Sequence, residues 1–272
     1  MKSVIDLNLA KWMSQNDYFY IMHRFDNCLS DDVALSNTED WKTISFSVGV
    51  QDSDKDELLK IKKREHRIDF ITIDIAHGYC ETMKSTIKFV KHNFPKSLVI
   101  AGNVSTADAV VSLSHWGADI VKVGIGQGSP CTTKDKTGFT MPMFTCVRQC
   151  GDCYASRDKF DAGEKIPIIA DGGVRCNGDI AKALVAGADL VMAGGMFAAC
   201  SDSPSLTNII NGIPHKSYFG SASKENKGHS NHIEGKLNNI AISDMTFKEK
   251  LLEIEQDIQS SISYGGGTDL SC

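Results

Sequence analysis

The sequence predicts an α/β fold of repeated strand–helix units, arranged as a (β/α)8 TIM barrel with seven of its strands readable. Three observations carry this. Short apolar runs rich in β-branched residues recur along the 272 residues, each ending in glycine or a small polar cluster. Few of them alternate, as expected of parallel strands buried on both faces, and amphipathic helix-length segments lie between them. One unit is also repeated: residues 117–124 match residues 187–194, each reading Gly-Ala-Asp, then an apolar run, then glycine.

The runs are Tyr18 to Phe25, Thr43 to Val50, Phe70 to Ala76, Leu98 to Val104, Ile120 to Gly126, Ile166 to Gly173 and Leu190 to Gly195. Helical spacing spans Thr82 to His92, Asp179 to Ala186 and Phe247 to Ser261. The helix before the first repeat starts at Ser105-Thr106-Ala107-Asp108, which reads as a capping box with Asp in place of Glu. Two segments break the alternation: a polar loop at 127–145 around Cys131, and a Ser-, Asn-, Lys- and Gly-rich stretch at 201–240. Loops of this length are usually functional lids, and these follow strand C-termini, where barrel active sites sit. Residues 1–272 read as one catalytic domain.

Composition sets the bounds. Hydrophobic residues are 42% and charged residues 23%, enough apolar content for a real core. The 23 glycines against 6 prolines suit many tight strand-to-loop turns. Net charge is −5 with no basic block, which argues against nucleic acid as a partner. No apolar run approaches ~18 residues, so no membrane helix is expected. The start Met1-Lys2-Ser3-Val4-Ile5-Asp6 lacks the apolar stretch of an export signal. Nine cysteines then read as free thiols in a reducing cytoplasm.

The sharpest local feature is the run from Gly124 to Thr133, with glycines at 124, 126 and 128 and a cysteine at 131. Such a loop aims backbone groups at one point. Cys131 is either an activated nucleophile or an incidental residue in a structural turn. Asp171-Gly172-Gly173 and Gly194-Gly195 close successive strands. They suit either a phosphate held by backbone N–H groups or close strand–helix packing. Asp74 closes a strand before Ala76-His77-Gly78, as a hydroxyl or amide acceptor or as a loop cap. Histidines 23, 66, 92, 115, 215, 229 and 232 show no metal spacing and read as surface or core residues. Cys146, Cys150 and Cys153 have iron–sulfur-like spacing, but they follow the fifth strand and share one helical face, which suits buried packing.

Together these residues resemble the IMP dehydrogenase and GMP reductase family, from about Leu9 to Leu270. The parts occur in family order: residues 16–25, 71–78, 100–104, the loop 122–133, 170–173, Tyr218 to Ser223, and 233–236. The resemblance is nearest the bacterial-type reductases. Only ten residues separate Ser223 from Glu234, none of them Arg or Tyr, so the water-activating pair of the dehydrogenases has no counterpart.

The resemblance implies NADPH-dependent reductive deamination of GMP to IMP through a purine linked to Cys131. It implies a proton pair in Thr133 and Glu234, and a ribose acceptor in Asp171. Phosphate and substrate contacts are implied at Ser129, Gly172, Gly173, Gly194, Gly195, Tyr218, Gly220 and Ser221. The nicotinamide side falls to Asp74, Ala76, His77 and Gly78. Ser260 and Tyr264 match a segment that meets a neighbouring subunit's cofactor, which implies a homotetramer. Gly126, Gly128 and Cys131 match a K+ loop. The sequence departs from the family at Gln127, where proline is usual, at Pro130 before the nucleophile, and at Asn231, where arginine is common. Family members begin earlier, and Met1 aligns near the end of their first strand, so a barrel without that strand is expected. The alternatives are an IMP dehydrogenase, a catalytically impaired nucleotide-binding barrel, and, more remotely, an iron–sulfur enzyme.

Overall fold

The computed structural model describes residues 1–25, 28–154, 165–227 and 231–270. The chain divides into two compact units. One comprises Ile5–Val123 with Cys153–Pro167; the other comprises Met1–Val4, Gly124–Asp152 and Ile168–Cys272.

The first unit is built on four parallel strands: β1 (Ser45–Val48), β2 (Phe70–Asp74), β3 (Leu98–Val104) and β4 (Ile120–Val123). Phe46, Ile71, Ile73, Val99, Ile100, Val121 and Val123 are buried, so both faces of the sheet are covered. That is why these runs lack alternation. Helices Asp52–Lys63, Glu81–Asn93 and Ala107–Trp116 connect the strands. They turn Leu58 and Ile61, Met83, Ile87 and Val90, and Val110 and Leu113 inward. These triads and pairs recur at three- and four-residue spacing, the stripe a helix presents to a sheet. The third helix is capped by Thr106, whose hydroxyl accepts from the Ala109 N–H. The cap is therefore one residue later than Ser105, where the sequence places it.

The first apolar run, Tyr18 to Phe25, is not a strand. Only Met22 bridges, pairing in parallel with Phe46. Its N–H donates to the Ser45 carbonyl at 3.1 Å, and its carbonyl accepts from the Ser47 N–H at 2.9 Å. The rest of the run is anchored through side chains: the Tyr20 hydroxyl donates to the Thr43 carbonyl at 2.8 Å. Six of the seven runs thus form parallel strands.

The second unit holds the other two, β5 (Ile168–Asp171) and β6 (Leu190–Met192), parallel and joined through helix Asn177–Val185. It also holds an antiparallel sheet of β7 (Thr207–Ile210), β8 (Ile213–Phe219) and β9 (Leu237–Ala241). The stretch 201–240, expected to be a polar loop, therefore carries all of β7 and β8 and most of β9. Its hairpin turns at Asn211-Gly212, both at positive φ (52° and 79°), the backbone a two-residue hairpin requires. The expected loop at 127–145 likewise contains helix Thr133–Thr137 and the start of helix Met143–Gly151. Cys146 and Cys150 are buried on the latter, whereas Cys153 lies in the 3-10 turn after it. Helix Phe247–Tyr264 opens with a capping box between Thr246 and Glu249. Among the described residues no helix is long and apolar enough to cross a membrane.

Candidate active site

Backbone geometry shapes the loop before Cys131. Gly124 and Gly126 adopt φ of 125° and 83°, which side chains resist. The Cys131 N–H donates back to the Gly128 carbonyl at 2.9 Å and closes a tight turn over Ser129-Pro130. This presents a half-buried thiol beside the short helix that Thr133 begins. The Cys131 thiol donates to the Thr133 hydroxyl at 3.3 Å, and that hydroxyl donates to the Glu234 carboxylate at 2.6 Å. Thiol, hydroxyl and carboxylate form one relay, the three residues to which the resemblance gives catalytic roles.

Glu234 is held to this loop by backbone bonds. The Thr132 N–H donates to the Glu234 carbonyl at 2.9 Å, and the Lys236 N–H donates to the Pro130 carbonyl at 2.8 Å. Cys131 and Gly235 form an antiparallel bridge between them. The Lys136 ammonium adds a bond to the Ile233 carbonyl. On its far side the Glu234 N–H donates to the Ala222 carbonyl at 3.1 Å. Gly235 is necessary here: a Cβ would stand 2.8 Å from the Ser223 nitrogen. Pro130, a departure from the family pattern, is buried and faces Gly220. Gln127, another departure, donates to the Thr140 hydroxyl at 2.8 Å, which in turn donates to the Ile125 carbonyl at 3.0 Å. A side-chain relay thus braces the loop.

The proposed phosphate and ribose residues gather in the same unit. Gly172 and Gly173 take φ of 106° and 77° after Asp171, and a Cβ on Gly172 would lie 3.2 Å from the Gly128 nitrogen. The two glycine turns therefore pack backbone to backbone. A Cβ on Gly194 would collide with the Tyr218 hydroxyl. Gly195 begins the following helical turn, Gly195–Ala198. Tyr218 is 4% exposed; burial, then the nearby Asp171 charge, pushes its phenol well above the usual range. It stays a neutral donor at any working pH. The Ser129 hydroxyl accepts from the Asn238 amide at 3.2 Å, and the Gly220 carbonyl accepts from the Ser223 N–H across Ser221.

The residues assigned to the nicotinamide side belong to the other unit, apart from Ser260 and Tyr264. Asp74 closes β2, and the Lys122 ammonium pairs with its carboxylate at 2.8 Å. Burial alone would raise this carboxyl's pKa; the Lys122 charge and hydrogen bond, then Arg24, outweigh it and hold it below the usual range. Ala76 and His77 are exposed, while the buried Gly78 donates its N–H to the Asn103 carbonyl at 2.7 Å. Ser260 and Tyr264 lie exposed near the end of the C-terminal helix, Tyr264 at 95%. Sequence reasoning assigned no role to Lys122. Its signal was a single cation inside the apolar run Ile120 to Gly126.

The donors fit the groups the resemblance implies. Asp74 offers an acceptor-only carboxylate, 28% exposed, to the amide of a carboxamide ring. Carbonyls at Gly126, Gly128 and Cys131 are neutral oxygens suited to a singly charged cation, and that of Gly128 keeps a second lone pair beside its bond to Cys131. Among the described residues no group of three or more His, Cys, Asp or Glu is placed to hold a metal ion, and His229 lies outside those residues.

A family model described as "IMP dehydrogenase / GMP reductase domain" matches residues 22–269. A protein named GMP reductase from Delftia acidovorans is 43% identical over 99% of this chain and 80% of its own length. Proteins of the same name from Leptothrix cholodnii and Staphylococcus aureus are each 42% identical, over 100% and 99% of this chain and 80% of theirs. The chain belongs to the IMP dehydrogenase / GMP reductase family.

Proposed function

We propose that this enzyme converts GMP to IMP and ammonia with NADPH, serving purine salvage in the cytoplasm as a homotetramer of (β/α)8 barrel domains. The observation that carries the reading is the Cys131–Thr133–Glu234 relay. The Cys131 sulfur, as thiolate, bonds to C2 of the guanine. Glu234 and Thr133 deliver a proton to the amine at C2, the C2–N bond breaks, and ammonia leaves a purine joined to Cys131. NADPH, when bound, supplies a hydride to C2. The C2–S bond then breaks, IMP departs with Cys131 again a thiolate, and Glu234 regains a proton from solvent.

The remaining assignments follow the same reading. Asp171 accepts from the ribose hydroxyls. Ser129, Gly172, Gly173, Gly194, Gly195, Tyr218, Gly220 and Ser221 hold the nucleotide and its phosphate, with the Tyr218 phenol as a neutral donor. Asp74, Ala76, His77 and Gly78 hold the nicotinamide, and Ser260 and Tyr264 meet a neighbouring copy's cofactor. The carbonyls at Gly126, Gly128 and Cys131 hold K+. Reduction is favoured over dehydrogenation because the ten residues from Lys224 to Ile233 include no Arg or Tyr to activate water.

The test is NADPH oxidation with GMP, with ammonia and IMP measured in the same reaction. One NADPH consumed per ammonia and per IMP is expected. Turnover of IMP with NAD+ and none of GMP with NADPH would overturn the reading in favour of a dehydrogenase.

A further inference from the structure

Lys122 is a charged residue in a place built for apolar ones. It sits in β4, its side chain is 5% exposed, and its neighbours Val121 and Val123 are fully buried. A lone ammonium there would be strongly destabilising, so its partners matter. Among them are the Asp74 carboxylate on β2, at 2.8 Å, and the Asn103 side-chain oxygen near the end of β3.

The register explains how a residue of β4 reaches β2. Asp74 stands opposite Gly102, and Gly102 stands opposite Lys122, so the three form one row across the sheet. Adjacent strands are about 4.8 Å apart, so β2 and β4 are separated by roughly twice that. A lysine side chain spans the gap only if nothing stands on the middle strand. Glycine occupies that position, and a Cβ there would lie 2.8 Å from the Lys122 Cβ. The row Asp-Gly-Lys is thus a channel for one side chain, with the pair at its far end.

We infer that Lys122 is a positioning residue for the cofactor side: it fixes the Asp74 carboxylate and the Asn103 carboxamide at the strand ends, so that Asp74 meets a nicotinamide amide already oriented. This rests on the reading that Asp74 contacts the cofactor. Preorganisation of this kind lowers the cost of binding, because the acceptor need not be ordered by the ligand. The lowered pKa of Asp74 agrees, since the carboxyl is kept ionised and acts as an acceptor only.

The test compares wild type with Lys122→Met, Lys122→Arg, Asp74→Asn and the Met/Asn double variant. NADPH alone is titrated by fluorescence and GMP by calorimetry, with circular dichroism to confirm folding. Lys122→Met should weaken NADPH binding at least about tenfold and leave GMP binding within about twofold. In turnover, KM for NADPH should rise more than kcat falls. Lys122→Arg, which restores the charge, should recover most of the affinity. The double variant should bind NADPH no worse than Asp74→Asn, because both act through one carboxylate. If Lys122→Met does not fold, Lys122→Gln is judged by the same criterion. Unchanged NADPH affinity in folded Lys122→Met or Lys122→Gln, with Asp74→Asn impaired, overturns the inference and spares the reading. Unchanged affinity in Asp74→Asn overturns both.

Discussion

Thr133 donates its hydroxyl to the Glu234 carboxylate at 2.6 Å across 101 positions of sequence. Because Thr133 also receives the Cys131 thiol, nucleophile and acid are coupled through one rotatable hydroxyl. Thr133→Val keeps the shape and removes the link. It should lower the deamination rate by about 10²- to 10⁴-fold, the usual worth of a positioned proton-transfer group. Thr133→Val combined with Glu234→Gln should be scarcely slower than either alone, measured as a double-mutant cycle on kcat. Additive losses would separate the two roles.

Cys131→Ala should abolish turnover, by well over about a hundredfold, while GMP still binds. The glycine turns at Gly172-Gly173 and Gly194-Gly195 and the Tyr218 phenol lie on other segments and are untouched. NADPH oxidation and GMP calorimetry together check this. A near-normal rate removes Cys131 from the chemistry.

Glu234→Gln should slow ammonia release more than hydride transfer, because only the first step needs a proton delivered to an amine. Run in reverse, the variant should still form the Cys131 adduct from IMP and NADP+. Failure to form it, seen by mass spectrometry, rules out the assigned role.

Gly235→Ala places a methyl 2.8 Å from the Ser223 nitrogen and 3.0 Å from the Ala222 carbonyl carbon, both backbone atoms that cannot swing aside. Overpacking of this kind costs about 1–3 kcal/mol. Glu234 is the adjacent residue, so the rate should fall with the melting temperature. A variant with wild-type kcat would show that the acid is positioned independently of this contact.

Glu57 supplies a pH test far from the site. Its carboxyl is held at about 2: the Lys60 hydrogen bond lowers it most, burial opposes, and the Ser30 N–H and Cys28 add to the lowering. Ser30 lies in the first turn of helix Leu29–Thr38, whose N-cap, Cys28, makes no side-chain capping bond. The folded value lies below the ordinary 4.5, so the stabilisation is complete above that pH and is lost as pH falls toward 2. Glu57→Gln should cost about 0.5–1 kcal/mol from neutral pH down to pH 5. That difference should vanish near pH 2 in thermal melts.

Much of the fold was legible because burial on both faces leaves unbroken apolar runs, and six of those became β1 to β6. The run Tyr18 to Phe25 looked the same but is pinned by side chains and one bridge, which composition does not reveal. The sheet β7–β9 was hidden by its polar-rich strands, of which β7 and β9 are largely exposed, although Asn211-Gly212 between Ile210 and Ile213 was a hairpin signal. Cys131, Thr133 and Glu234 were legible through the family motifs. The Asp74–Lys122 pair was not, because pairing across Gly102 depends on register, and register is absent from a linear string.

The two backbone bonds between the nucleophile loop and the segment around Glu234 have a consequence for exchange with solvent. The Thr132 and Lys236 amides are donors to partners on opposite sides of one crossing, so neither is released unless the crossing parts. In deuterium they should lose protection at a common rate, set by a single opening. Any nucleotide that steadies the crossing will slow both clocks by the same factor.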